Sequence, residues 1–167
     1  MLRHAENHAK VYGFDLDGFL ATLSEGDVEL LLDVRQRRGV RGREYSWANS
    51  KRLQAALAEA GIAYAHHPEL APTTELRQLQ YAEDDRRGEG KRNRTELAPE
   101  YSRRYLAEIL SRADLDAVAG RLPHRGAAAL LCVERDPEAC HRSLIAARLA
   151  ELHDVAITHL RPPALSA

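Results

Sequence analysis

Three short apolar runs limit what this chain can fold into. They are Val28-Glu29-Leu30-Leu31-Leu32-Asp33-Val34, Ala127-Ala128-Ala129-Leu130-Leu131-Cys132-Val133 and Val155-Ala156-Ile157-Thr158-His159-Leu160, the last stopped by Pro162-Pro163. Runs of this length and composition are expected of strands buried on both faces. Lys10 to Phe14 and Ile62 to His66 are weaker strand candidates. The segments between them carry helical patterns. Asp17 to Leu23 is a short one, and Ser50 to Ala60 puts Leu53, Ala56, Leu57 and Ala60 on one face before Gly61. Pro99 suits a helix start, with Tyr101, Tyr105, Leu106 and Ile109 at helical spacing. Glu138 to Leu152 aligns Leu144, Ile145, Leu149 and Leu152, with Asp136 or Pro137 as the expected start. Strands alternating with helices predict one α/β domain, a mostly parallel sheet of about five strands with helices on both faces.

The chain of 167 residues fits a single domain spanning 1–167. Residues 68–98, long and polar, are expected to form a basic loop or lid insertion. Apolar residues make up 44% and charged residues 29%, a globular balance that argues against disorder. Two cysteines argue against a disulfide-stapled secreted module. MLRHAENHAK has no apolar export segment, and no stretch approaches a membrane span, so a cytoplasmic protein is expected.

Net charge is −1, but it is unevenly spread. Arg35 to Arg43 holds five arginines and no acid, and Arg86 to Arg94 holds five basic residues and one acid. The remainder is acidic, an asymmetry that hints at an anionic partner. In open parallel sheets, ligands bind beyond the C-terminal strand ends, where helix N-termini also point. Asp33 and Arg35 end one strand, His66 and His67 another, and Cys132 and Glu134 a third, with Cys140-His141-Arg142 opening the next helix. Both basic stretches and the Cys/His group are therefore expected at one edge.

The residue types suggest roles there. Cys140 is a candidate nucleophile or redox thiol, favoured as an anion by the helix N-terminus, His141 and Arg142. Arg142 is a candidate fork for phosphate or carboxylate. Cys132 is either a second reactive thiol or a small core residue. Glu134 is an acid, a base or a neutraliser of nearby arginines. Asp33, Arg35, Arg37, Arg38 and His66 are candidate ligand contacts, and the alternative for Asp33 is a structural salt bridge that fixes Arg35. Arg41, Arg43, Lys91, Arg92 and Arg94 are candidate nucleic-acid contacts, with Tyr45 and Trp47 available to stack on bases.

The motifs LLDVRQRRGVRGREYSW, LAEAGIAYAHHPEL, LLCVERDPEACHRSLIAARLAE and THL together resemble the domain of unknown function 488 family. Its strand ending in DVR corresponds to Asp33-Val34-Arg35, and its Gly-Ile, Tyr and His pattern to Gly61, Ile62, Tyr64 and His66. Its late Cys/Glu/Pro/Cys-His-Arg motif corresponds to Cys132, Glu134, Pro137, Cys140, His141 and Arg142. The likeness runs from Val11 to Leu160. Two places depart from it: the Thr-Ile-Gly opening is Val11-Tyr12-Gly13-Phe14 here, and the Leu-Gly-Gly turn is Leu70-Ala71-Pro72. The resemblance implies a Rossmann-like sheet, adds Tyr64 to the candidate ligand contacts, and brings no established general activity.

Three functions remain open. The first is binding of, or action on, a phosphate-bearing nucleotide or nucleic acid, as a hydrolase or transferase using a cysteine. A phosphatase-like or rhodanese-like loop does not fit, because Cys132 lies ten residues and Cys140 only two before Arg142. The second is a nucleic-acid-binding module without chemistry. The third is a metal site from Cys132, Cys140, His141 and His66, although C-x7-C-H matches no standard zinc framework. The leading reading assigns no metal ligand and no cofactor.

Overall fold

The computed structural model describes residues 5–91, 93–134 and 136–162. Five strands form one sheet: β1 (Ala5–Lys10), β2 (Val28–Asp33), β3 (Ala63–His66), β4 (Ala127–Cys132) and β5 (Ala156–His159). They lie in the order β3-β2-β4-β1-β5, and every adjacent pair is parallel. The helices are α1 (Leu16–Glu25), α2 (Ser50–Glu59), α3 (Thr74–Arg87), α4 (Pro99–Tyr105), α5 (Leu115–Ala119) and α6 (His141–His153). No helix among the described residues is long and apolar enough to cross a membrane.

Position in the sheet explains the strand sequences. All six residues of β4 are buried, because β1 and β2 flank it and helices cover it. Leu31, Leu32, Leu130 and Leu131 join Phe19, Leu23, Leu53, Leu57, Ile145 and Leu149 in the core. The run at 155–160 departs from its expected burial. All of β5 is exposed because it lies at the sheet edge, where one side has no strand neighbour among the described residues. Residues 11–14 are a turn rather than a strand; β1 ends just before it.

Caps fix the helix boundaries. Asp15 caps α1 by accepting from the Gly18 N–H at 2.7 Å. Gly61, with φ of 73°, follows α2 as the left-handed residue that a β-carbon would disfavour. After α4, a π-helical turn over Leu106–Leu110 shifts the inward face by a residue, burying Leu110 and leaving Leu106 exposed. At the other end of the chain's core, Asp136 and Pro137 open only a 3-10 turn, Pro137–Ala139. Cys140 is the residue that precedes α6.

The largest departure from expectation is residues 68–98. Fourteen of them form α3, capped by the Thr73 hydroxyl and ended by Gly88 at φ 71°. Its inward face is Leu76, Gln80 and Asp84, spaced by four, so one apolar residue stands where a periodic stripe would be sought. The polar pair is tolerated because it is satisfied. Gln80 donates to Asp84 at 2.8 Å and accepts from the Ala98 N–H at 2.8 Å, while Arg94 closes a bidentate ion pair on Asp84.

Candidate functional site

Parallel pairing sets Asp33 opposite Leu131 on one side and His66 on the other, so β2, β3 and β4 end together. Backbone bonds continue past the strands, from Val34 N–H to Leu131 O and from Val11 and Tyr12 N–H to Cys132 and Val133 O. The segments leaving β2 and β4 therefore start side by side. They form one side of a cavity of about 430 Å³, and α3 with Lys91, Arg94 and Leu97 lines another.

Residues from both basic stretches and the late Cys/His motif line this cavity. Arg35, Arg37 and Arg41 come from the first stretch and Lys91 and Arg94 from the second, with Cys132, Glu134, Cys140 and His141 from the motif. Their electrostatic states differ. Arg35 is buried and forked onto Asp33, its Nε and Nη2 donating at 2.8 and 2.7 Å, with Nη1 donating to Ala48 O at 2.9 Å. Burial opposes its charge, yet the Asp33 carboxylate outweighs burial and raises the guanidinium above its ordinary value. Arg94 is neutralised by Asp84, and Glu134 Oε1 lies 3.8 Å from it. Arg37, Arg41 and Lys91, by contrast, form no ion pair among the described residues.

Four groups meet at the buried end. Cys132 Sγ lies 2.8 Å from Glu134 Oε2, so its thiol donates to the carboxylate. Cys132 Sγ and Cys140 Sγ lie 3.8 and 3.7 Å from His141 Nδ1, and His141 Nε2 donates to Val34 O at 3.0 Å. Burial pushes the Cys132 thiol well above its ordinary pKa, with Cys140 and Glu134 adding to the effect and His141 opposing it. Burial alone would raise Glu134 too. Lys91, His141 and the Cys132 hydrogen bond reverse that and lower it to about 2. The resting arrangement is thus a protonated Cys132 against an ionised Glu134.

Other candidates stand apart from the cavity. Asp33 sits behind Arg35 and also accepts from the Tyr64 hydroxyl at 2.7 Å; Arg38 reaches that hydroxyl at 3.5 Å. His66 Nε2 donates to Arg35 O at 3.0 Å, bracing the loop rather than facing the thiols. Arg43 is exposed and off the cavity lining, and Arg92 lies outside the described residues. Trp47, expected to stack on bases, is buried against Phe19 with ring centroids 4.9 Å apart, and Tyr45 packs on Tyr12 at 5.1 Å. The first basic loop therefore presents cations without a free aromatic platform.

Arg142 does not act as the expected fork. It is fully buried, its Nη1 donates to Glu134 O at 3.0 Å, and it does not line the cavity. Its Nε and Nη2 have no partner among the described residues, each an orphaned donor that costs about 1–3 kcal/mol. Arg142→Met is accordingly expected to leave stability unchanged or raise it by about 1 kcal/mol, measured by urea unfolding. A loss above about 2 kcal/mol would show that the buried guanidinium has further hydrogen-bond partners.

Sequence reading missed the α3 wall. Arg77 donates to Gln36 and to the Tyr81 hydroxyl, lies 5.9 Å above the Tyr81 ring, and lines the cavity with no ion pair among the described residues. The available signal was the four-residue spacing of Arg77 and Tyr81, which shares a helix face only once the segment is known to be helical.

The fold and this edge define a parallel α/β protein with a cationic cleft over paired thiols. A family model described as domain of unknown function DUF488 matches residues 15–149, and the chain belongs to that family. The match contains every cavity residue named above except Tyr12. No curated protein and no solved structure shows significant similarity to the chain.

Proposed function

We propose that this protein binds, and acts on, a phosphate-bearing small molecule of about nucleotide size in the cavity beyond the C-terminal ends of β2 and β4. The observation that carries this reading is the imbalance of charge. Among the described residues, Arg37, Arg41 and Arg77 line the cavity with no ion pair, and Glu134, which Lys91 attracts, is the single carboxylate lining it. Unpaired guanidinium groups around a concavity suit phosphate oxygens, which accept two parallel N–H bonds from each fork. The volume of about 430 Å³ falls within the range of small-molecule sites. Tyr81 and Tyr12 supply apolar wall for the remainder of a nucleotide. The site's position matches the general rule for ligands of Rossmann-like sheets, the fold reading we favour. A bound phosphate would have Cys132, Glu134, Cys140 and His141 as its reactive neighbours.

A small molecule is preferred to a nucleic acid because both aromatic residues beside the basic loop are already engaged. The test is calorimetric titration with inorganic phosphate and with a nucleoside monophosphate, on wild type and on an Arg37→Ala/Arg41→Ala double variant. Wild type is expected to bind with an affinity that falls as salt rises. The double variant is expected to bind at least tenfold more weakly, about 1.4 kcal/mol, with an unchanged melting temperature. Equal binding by the two proteins would overturn the reading. Single-stranded RNA binding that phosphate does not compete, and that Arg43→Ala abolishes, would replace it with the nucleic-acid module.

A further inference from the structure

The two cysteines are the chain's only ones, and they converge on a single nitrogen. Cys132 Sγ, Cys140 Sγ and His141 Nδ1 all lie within 4.8 Å of one another, and all three residues are buried yet line the cavity. We propose that these three atoms bind one soft divalent cation of the zinc class, leaving a fourth coordination position open to the cavity. The inference does not rest on phosphate binding.

Three observations support it. The first is distance. Tetrahedral geometry with metal–sulfur bonds of about 2.3 Å and metal–nitrogen bonds of about 2.05 Å places sulfur and nitrogen about 3.6 Å apart. The two sulfurs stand 3.7 and 3.8 Å from Nδ1, close to that separation, and the three atoms lie within 4.8 Å of one another. The second is the tautomer. His141 Nε2–H is spent on Val34 O at 3.0 Å, which in the neutral ring leaves the Nδ1 lone pair aimed between both sulfurs. A ligating histidine held through its other nitrogen by a backbone carbonyl is the usual outer-shell arrangement. The third is donor chemistry and charge. Thiolates select zinc-class cations over magnesium or calcium, and two thiolates with one dication make a neutral centre that Arg35 and Arg94 do not repel.

The fourth ligand weighed at the sequence level, His66, is engaged with Arg35 O instead. Three protein ligands with one open position is the arrangement of a reactive zinc site rather than a closed structural one. The binding step balances simply. The dication joins two thiols and one imidazole lone pair, two metal–sulfur bonds and one metal–nitrogen bond form, and two protons leave, with a third from Nδ1 when His141 starts as the imidazolium. The first of them starts in the hydrogen bond from Cys132 Sγ to Glu134 Oε2, 2.8 Å long.

Cobalt(II) added to the reduced wild-type protein without oxygen tests this directly. One equivalent is expected to produce a sulfur-to-cobalt charge-transfer band in the ultraviolet and the visible bands of a tetrahedral ion. Zinc should bleach both; added instead to the metal-free protein, it should release at least two protons into weakly buffered solution and shield both thiols from alkylation. Cys132→Ser and Cys140→Ser are each expected to weaken binding at least a hundredfold, beyond the loss typical of outer-shell changes. No charge-transfer band in wild type, or a band unaltered in both serine variants, overturns the assignment, and the wild-type experiment stands even if a variant misfolds. Arg37→Ala/Arg41→Ala should keep the cobalt spectrum while losing phosphate, so failure of the anion reading and failure of the metal reading are separable.

Discussion

Asp33→Ala is expected to remove about 3–5 kcal/mol of stability, because it strands a buried guanidinium. Asp33 is inaccessible and accepts four hydrogen bonds, from the backbone, Nε and Nη2 of Arg35 and from the Tyr64 hydroxyl. Arg35, 2% exposed, would keep only its bond to Ala48 O and could not reach water without moving the loop. Since domains are stable by about 5–15 kcal/mol in total, the variant should unfold at a much lower urea midpoint with an unchanged slope. Tyr64→Phe, which removes one of the four bonds from a half-buried ring, should cost only about 1–2 kcal/mol. If both variants lose the same small amount, Asp33 is not the anchor described.

The second large effect concerns the clasp between α3 and residues 88–98. Arg94→Met is expected to cost about 3–5 kcal/mol by leaving Asp84 buried with Gln80 as its remaining side-chain donor. Asp84→Leu should cost a similar amount by freeing Arg94, whose other contacts are long, at 3.5 Å to Ala139 O and 3.8 Å to Glu134 Oε1. The Asp84→Leu/Arg94→Met pair should recover at least about 1 kcal/mol relative to the sum of the single losses, since neither charge is then unpaired. Additive losses in that unfolding cycle would argue that the pair does not bear on α3. Anion affinity should also fall in Arg94→Met, because Arg77, Tyr81 and Lys91 are carried by this wall.

The strands read well from sequence because burial acts on runs of Leu, Val and Ala, as at 28–34 and 127–133. The parallel α/β architecture and the meeting of Arg35, Arg37, Arg41, Lys91, Cys132 and His141 followed from strand-end topology alone. The run at 155–160 misled because an edge strand can be as apolar as a central one; its neighbours, not its composition, set its exposure. The helix over 74–87 was hidden for a different reason. Its inward residues, Gln80 and Asp84, look like surface until Arg94 and the Ala98 N–H are known to meet them. Arg142 was misassigned because a motif fixes spacing and not side-chain direction, and here the guanidinium turns into the core. Trp47 failed similarly: sitting beside a basic loop does not expose a ring that Phe19 covers.

The cavity's two sides answer to different constraints. Cys132, Glu134 and Arg35 ride on the ends of central strands, where any change in backbone disturbs the sheet itself. Arg77, Tyr81 and Lys91 belong to a separate flap fastened by side-chain bonds among Gln80, Asp84, Arg94 and Ala98. The cavity can therefore be reshaped on the flap one residue at a time while Cys132, Glu134 and Arg35 keep their mutual distances. A designer seeking a new ligand for this scaffold would start from α3 and leave the strand ends alone.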